Sequence, residues 1–234
     1  MSQSAPAIVW FREDLRLSDN PALHAAVSSG RPLVLLYILD EQTKGLRPLG
    51  GASKWWLDKS LRALAADIKQ AGAQLTLRSG QSADVLDTVI EETGAETIFW
   101  NRRYDQPERD LDAAIKEDLT QRGLDVSSHN ARLLNEPWQV ETNAGGYYKV
   151  FTPYWRAARN NFVARDTYGR HKKLSGPKPE SESLDDWGLH PSNPDWSTGF
   201  DDWTPGEDGA IARLTDFLDG PINGYKEDRN RPDL

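Results

Sequence analysis

The chain has 234 residues, which is long enough for one sizeable α/β domain with an extension. Its formal net charge of −8 makes it too acidic for a protein that coats nucleic acid with a basic surface. It contains no cysteine, which excludes disulfides and thiolate metal sites and favours a reducing compartment. No apolar run approaches the length of a bilayer crossing, and residues 1–6 do not resemble a secretory leader, so we expect a cytoplasmic protein without membrane contact.

Strands and helices alternate along the first part of the chain. Residues 7–11 form an apolar run that predicts a buried strand, and Asn20-Pro21 predicts the N-cap and first residue of a helix that ends near Gly30. Apolar helical stripes separate four further predicted strands, at 33–39, 74–78, 97–100 and 125–128. This alternation predicts an α/β fold in which a five-stranded parallel sheet carries helices on both faces.

A long connector is predicted after the sheet region. A helix capped by Thr152 is expected over 153–165, and residues 172–203 then lose apolar periodicity and become rich in Pro, Ser, Asp and Gly. The tryptophans of this connector have acidic neighbours that would repel phosphate, so we interpret them as anchors that hold the connector on the domain rather than as a platform for bases. These tryptophans are Trp187, Trp196 and Trp203.

One more helix is predicted after the connector. Residues 204–207 read Thr-Pro-Gly-Glu, which has the spacing of a capping box with proline at the first helical position. An apolar stripe follows, and Gly220-Pro221 ends the helix. Because the chain stops shortly afterwards in a polar tail, we expect a polypeptide cut near the start of a second domain.

The end of the first predicted strand has a distinctive pattern. The segment from Trp10 to Asn20 reads W-F-R-x-D-L-R-x-x-D-N, and the segment from Tyr148 to Tyr154 reads Y-x-V-F-T-P-Y. Both resemble segments of the DNA photolyase and cryptochrome family. We interpret the charged residues of the first segment mainly as a scaffold between loops and domains, since arginine can hold a carboxylate at two points. The structural motif comprises Trp10, Phe11, Arg12, Asp14, Arg16 and Asn20.

The resemblance implies a domain organisation. Residues 1–130 would form a Rossmann-like domain for an antenna chromophore, and residues 131–171 would be the C-terminal part of the same domain. Residues 172–203 would be the linker, and residues 204–234 would begin an all-α domain that binds FAD.

The residues that follow the fourth predicted strand in the chain resemble the family segment N-x-x-Y-[DE], which contacts the antenna chromophore in folate-binding members. Asn101, Tyr104 and Asp105 match that segment. An acid here can pair with the amino-pyrimidine edge of a pterin, and a tyrosine can pack on a ring. The resemblance implies methenyltetrahydrofolate as the antenna, with deazaflavin or FMN as alternatives. From the residues alone, an ion-paired loop around Arg102 and Arg103 is the competing interpretation.

The last matching segment lies near the end of the chain. Residues 225–229 read Tyr-Lys-Glu-Asp-Arg and resemble the segment that opens the family's flavin domain. There the tyrosine contacts FAD and the arginine meets the DNA backbone, which implies a cofactor contact for Tyr225 and a DNA contact for Arg229. No catalytic residue is assigned in this chain. The four histidines are scattered, and we expect no metal site.

The resemblance implies a deoxyribodipyrimidine photolyase, a carbon–carbon lyase that uses FAD and light to repair cyclobutane pyrimidine dimers in DNA. Damaged DNA would be the partner of a monomeric protein, and this chain would be the antenna-binding portion, inactive alone. One alternative is a fragment of a cryptochrome-type blue-light photoreceptor. The other is a free-standing nucleotide- or chromophore-binding module.

Overall fold

The computed structural model describes residues 4–231 and contains one five-stranded parallel sheet. The strands are β1 (Ala7–Phe11), β2 (Leu33–Leu39), β3 (Leu75–Ser79), β4 (Thr97–Asn101) and β5 (Asp125–His129). Their order across the sheet is β3-β2-β1-β4-β5, and every neighbouring pair is parallel. The predicted α/β fold class is therefore confirmed, with strand bounds that differ from the predicted ones by at most one residue at either end.

Among the described residues, four helices lie between the strands in the chain, and three more follow the last strand. The connecting helices are α1 (Pro21–Ser28), α2 (Gly51–Gln70), α3 (Ser82–Thr93) and α4 (Gln106–Gln121). The later helices are α5 (Phe151–Asn161), α6 (Glu207–Asp219) and α7 (Tyr225–Asp228). Short 3₁₀ turns occur at Pro137–Gln139, Leu184–Trp187, Ser197–Phe200 and Pro221–Gly224. None of the helices within residues 4–231 combines the length and apolarity that a bilayer crossing requires.

The core consists of two apolar layers, one on each face of the sheet. Alternate residues of β1 point to opposite layers, as the period of a strand requires: Val9 and Phe11 pack with α1 and α2, whereas Ile8 and Trp10 pack with α3 and α4. Because both faces are covered, the central strands are apolar at nearly every position. The polar groups of the sheet are thus concentrated where its strands end.

The helix starts agree only in part with the predictions. The Asn20 side chain accepts a hydrogen bond from Leu23 N at 3.1 Å, so the predicted cap of α1 is confirmed. The prediction for α5 was wrong at both ends, because the helix begins at Phe151 and tolerates Pro153 within its first turn, where no N–H partner is needed. The capping box at 204–207 was also wrong, since α6 has Gly206 as its N-cap without a side-chain cap.

The connector lies against the exposed edge of the sheet. Leu77 N of edge strand β3 donates to Ser181 Oγ at 2.9 Å, and Ser79 N donates to Glu182 Oε1 at 2.9 Å. These bonds satisfy donors that an edge strand would otherwise present to another chain. Glu182 also accepts a hydrogen bond from Trp187 Nε1 at 2.7 Å.

The tryptophans of the connector pack on the domain, as predicted. The Trp187 ring lies 6.1 Å from the ring of Tyr37, and the Trp203 ring meets Trp56 edge-on at 5.9 Å. Trp196 lies so close to α2 that a Cβ on Gly51 would approach its ring to 3.0 Å. The connector is therefore part of the domain surface.

The first residues of the connector pass close to the start of β2. Leu33 N donates to Ser175 O at 2.8 Å, and a Cβ on the next residue, Gly176, would lie 2.2 Å from Leu33 O. The neighbouring atoms are backbone, so they cannot move aside as a flexible side chain could. Only glycine fits this approach.

We expect Gly176→Ala to lower the free energy of unfolding by about 2 kcal/mol, the range measured for overpacked interiors. Gly169→Ala is the matched control, because a Cβ there meets no atom within 4 Å, and we expect a change below about 0.5 kcal/mol. Urea unfolding of both variants measures the difference. Equal midpoints would show that this approach does not constrain the fold.

Candidate functional site

A cleft of about 990 Å³ opens at the carboxyl edge of the sheet. The chain proceeds from β1 towards β2 and β3 on one side and places β4 and β5 on the other, so the topological switch point lies between β1 and β4. Crevices at such a point are the usual ligand sites of open α/β sheets. The cleft is lined by residues that follow β1, β2 and β4 and by residues of α2 and α6.

The cleft walls combine ring and aliphatic surfaces with a polar rim. Tyr37 and Trp56 supply the rings, and Trp56 is 42% exposed, with Leu46 from the loop after β2 nearby in the lining. Burial raises the pKa of Tyr37 well above its ordinary range, so the phenol is neutral. Flat, apolar walls of this kind suit a ring system that needs a few polar contacts for orientation.

The carboxylate of Asp40 holds the loop after β2 in place. It accepts hydrogen bonds from Thr43 N at 2.8 Å and Ser82 N at 2.9 Å, and both hydroxyl groups donate to it at 2.6 Å. It therefore ties the loop to the first turn of α3 and serves as that helix's cap from a distance. Burial alone would raise the pKa of Asp40, but the bonds from Ser82 and Thr43 outweigh it and lower the pKa.

Arg12 lies buried where β1 ends. Its Nη1 and Nη2 donate to the two carboxylate oxygens of Asp112 on α4 at 3.3 and 3.2 Å, and Arg103 donates to the same carboxylate at 2.7 Å. The guanidinium also lies over the ring of Trp10, 4.4 Å from its centroid. Burial lowers the pKa of Arg12, and Asp112 opposes this shift. The pair therefore joins β1 to α4 beneath the cleft.

A second polar network fixes the loop between β1 and α1. Asp14 accepts from Arg12 N at 2.9 Å and also from the side-chain amides of Asn20 and Asn101. Asn101 in turn donates to Asn20 Oδ1 at 2.8 Å and accepts from Ala22 N at 3.1 Å. These contacts connect the ends of β1 and β4 to the first turn of α1.

Arg16, the other charged residue of the predicted motif, bonds to backbone. It donates to Asp19 O at 3.0 Å and to Ala131 O at 3.1 Å, so it joins the loop after β1 to the segment after β5. Trp10 and Phe11 are buried on opposite faces of β1. All six motif residues thus make contacts within the protein.

The structure separates the three residues that were predicted to contact an antenna pigment. Asn101 is 3% exposed, and its amide is engaged in the loop network. Tyr104 points towards the loop 130–136, where its hydroxyl donates to Glu136 Oε1 at 2.6 Å, and it does not line the cleft. Burial, with this hydrogen bond as the second cause, raises the pKa of Tyr104 to about 12. Only Asp105 lines the cleft, at its exposed rim.

Glu108, which sequence reasoning missed, also lines the cleft from the first turn of α4. Its Oε1 lies 3.4 Å from Arg103 Nη1, and within residues 4–231 its Oε2 has no hydrogen-bond partner. Burial is the main cause that raises the pKa of Glu108. Its spacing of one helical turn from Asp105 was the only signal in the sequence.

Tyr225 and Arg229, predicted to contact FAD and DNA, lie outside this cleft. They line a smaller hollow of about 500 Å³ between α6 and α7, where the ring of Tyr225 meets Phe217 edge-on at 5.9 Å. Tyr225 is half exposed. In the described part of the chain, no group of three or more acidic or histidine side chains is placed to hold a metal ion.

Asp112→Asn should destabilise the protein by about 3 kcal/mol, because removing one partner leaves buried Arg12 and its neighbour Arg103 without their shared anion. Asp110→Asn on the same helix is the control: its carboxylate is exposed and pairs with Arg109 at the surface, so we expect a change below about 0.5 kcal/mol. Thermal or urea unfolding separates the two. A small effect at both positions would mean that the Arg12 pair contributes little.

Asp40→Ala should cost roughly 1–2 kcal/mol, the usual loss when a helix cap is removed. Because the pKa of Asp40 is lowered in the folded protein, its contribution is fully present above the unfolded pKa of about 3.9 and is lost as the pH falls through the folded value. The stability difference between wild type and variant should therefore shrink at acid pH. Asp84→Asn, in the first turn of α3, is the control. A stability difference between wild type and Asp40→Ala that stays constant from pH 6 to pH 3 would contradict the role of the Asp40 carboxylate as a cap.

Comparison with known proteins identifies the family. Residues 7–174 match the family model described as DNA photolyase. The chain is 47% identical over 233 residues to a deoxyribodipyrimidine photo-lyase of Agrobacterium fabrum, covering 98% of this chain and 48% of that protein. It is 34% identical to cryptochrome-1 of Arabidopsis thaliana, covering 97% of this chain and 34% of that protein.

A solved structure agrees with the sequence relatives. The crystal structure of a bacterial class III photolyase from Agrobacterium tumefaciens superposes with a TM-score of 0.93 at 47% identity, covering 99% of this chain and 48% of that one. The chain thus spans about half the length of the photolyases it matches. These matches show that the chain belongs to the DNA photolyase and cryptochrome family.

Proposed function

We propose that this chain is the light-harvesting portion of a deoxyribodipyrimidine photolyase and that the cleft at the carboxyl edge of its sheet holds the antenna chromophore. The observation that carries the proposal is the cleft itself, which lies at the topological switch point between aromatic walls and an acidic rim. When bound, such a pigment absorbs light and transfers the excitation energy to a second chromophore.

The residues present fit a pigment of this size. A volume of about 990 Å³ suits a ligand of several fused rings, and Tyr37 and Trp56 offer surfaces on which a ring can pack. Asp105 and Glu108 lie one helical turn apart, and carboxylates accept the two parallel N–H groups of a pterin's amino-pyrimidine edge. We therefore favour methenyltetrahydrofolate over deazaflavin or FMN, whose ring edges alternate carbonyl groups with N–H.

The repair activity is proposed for the whole protein. Cyclobutane pyrimidine dimers in damaged DNA would be the substrate, and FAD, with Tyr225 as one contact, would supply the electron for their cleavage. Arg229 would contact the DNA backbone. We further propose a monomeric, cytoplasmic protein, in keeping with the absence of cysteine from the sequence.

A cryptochrome-type photoreceptor is the second candidate, and the 34% identity to cryptochrome-1 supports it. The 47% identity to a photolyase favours repair. An experiment in which ultraviolet-damaged DNA is illuminated in the presence of the native full-length protein distinguishes the two candidates. Light-dependent loss of dimers supports the photolyase, whereas bound pigment without repair supports the photoreceptor.

Ser53→Trp should weaken pigment binding strongly, because Ser53 lines the cleft from an exposed position on α2 and a bulky ring there fills the space. Ala66→Trp, exposed on the same helix and outside the cleft lining, is the control. We expect wild type and Ala66→Trp to shift and intensify the absorbance of added methenyltetrahydrofolate, and Ser53→Trp to lose at least about tenfold in affinity.

Deazaflavin and FMN are titrated in parallel, so that the pigment class is measured rather than assumed. Binding of one of them in place of the folate would correct the choice of pigment and leave the cleft assignment intact. Failure of all three to bind wild type would reject the antenna role, and equal affinities in the two tryptophan variants would place the pigment elsewhere.

A further inference from the structure

We infer that Glu207 is a positioning residue for pigment binding, because its carboxylate joins the first turn of α6 to the loop after β1 and thereby holds α6 in place as one wall of the cleft. This inference rests on the proposed antenna role of the cleft. Glu207 was expected to form a capping box within its own helix, but its side chain points away from α6 and towards the α/β domain.

The contact is short, buried and directed at backbone. Glu207 Oε2 accepts from Leu17 N at 2.8 Å, Oε1 accepts from Ser18 N at 2.9 Å, and the residue is only 9% exposed. Burial on its own would raise the pKa of Glu207, but the bonds from Ser18 and Leu17 and the charge of Arg170 lower it. An ionised carboxylate that accepts two N–H groups is among the strongest polar contacts in proteins.

Little else fixes the position of α6. Glu207 and Gly209 are its only buried residues, whereas Ile211 and Leu214 are 49% and 57% exposed. At the helix start, a Cβ on Gly206, whose φ is +108°, would lie 2.8 Å from Ala63 of α2, so the helix approaches α2 closely at this point. The location of the rest of the helix therefore depends on its first turn.

A second polar tether of α6 is exposed. Asp208 lies 3.3 Å from Arg170, which also pairs with Asp67 of α2 at 2.5 Å, but the carboxylate of Asp208 is 82% exposed. Exposed ion pairs contribute little, since water and salt screen them. Glu207 and Asp208 thus offer a buried and an exposed carboxylate at adjacent positions.

Both elements that Glu207 joins line the cleft, and Glu207 itself belongs to the lining. Ser18 belongs to the wall formed by the loop after β1, and Ala210, Ile211 and Leu214 belong to the wall formed by α6. Removing the carboxylate therefore loosens two walls at once while leaving the rings of Tyr37 and Trp56 in place. A binding site whose walls are not held in position loses affinity, and amide hydrogen exchange in those walls reports this loss separately from a lost contact to the pigment.

The test compares Glu207→Gln with Asp208→Asn in the full chain. Both variants remove one negative charge from the first turn of α6, so any effect of the helix dipole is equal in the two. The amide of glutamine has one acceptor oxygen and one donor NH₂ group. The NH₂ group would face the N–H of Leu17 or Ser18, so one of the two hydrogen bonds would be lost. We expect Glu207→Gln to accelerate amide hydrogen exchange at Leu17 and Ser18 and to raise the Kd for methenyltetrahydrofolate about tenfold or more. Asp208→Asn should change neither.

The outcomes separate the inference from the proposed function. If wild type binds none of the three pigments, the antenna role fails. If wild type binds and Glu207→Gln exchanges faster with an unchanged Kd, only the positioning role is overturned. Should Glu207→Gln fail to fold, Glu207→Asp decides, because it keeps the charge but shortens the reach to Leu17 N and Ser18 N. Faster exchange at these residues with a raised Kd supports the positioning role, and faster exchange with an unchanged Kd overturns it.

Discussion

The buried ion pair between Arg12 and Asp112 is the contact on which the carboxyl edge of the sheet depends. A guanidinium with so little exposure is costly to desolvate, and the cost is offset only because two-point geometry, a neighbouring indole ring and adjacent carboxylates act together. The pair joins the end of β1 to α4 across the switch point. The pair thus adds a side-chain connection to the β1–β4 ladder at the floor of the cleft.

The cleft walls are fixed in a different way, by carboxylates that accept backbone N–H groups. Asp14 does this for the loop after β1, Asp40 for the loop after β2, and Glu207 for α6. Loops at strand ends contain backbone N–H groups that no helix or strand ladder pairs, so these groups need acceptors where they are buried. Because the pKa values of Asp40 and Glu207 are lowered, the contacts of these two carboxylates persist at neutral pH and weaken in acid.

The sequence predicted the elements well and their long-range partners poorly. Apolar periodicity located every strand of the sheet, and the Asn20 cap followed from a local rule. The partners of Arg12, Leu17 and Leu77 are Asp112, Glu207 and Ser181, each about a hundred residues or more away. Local patterns contain no information on such pairs, and among 36 acidic residues nothing in the sequence distinguished Glu207 as a bridge. The resemblance identified the family, and the structure was needed to show that Tyr104 lies outside the cleft.

The position of α6 bears on where one domain ends and the next begins. The sequence placed a boundary at residue 204, after the connector, yet the first turn of α6 bonds to the loop after β1 and packs on α2. The helix is thus anchored to the α/β domain at its start and is largely exposed along its length. Coupling between two sites is reciprocal, so a ligand held against Ile211 and Leu214 must stabilise the placement of α6 as much as that placement favours the ligand. Because Glu207 is the buried polar contact of the first turn of α6, it is the contact through which we expect this coupling to act.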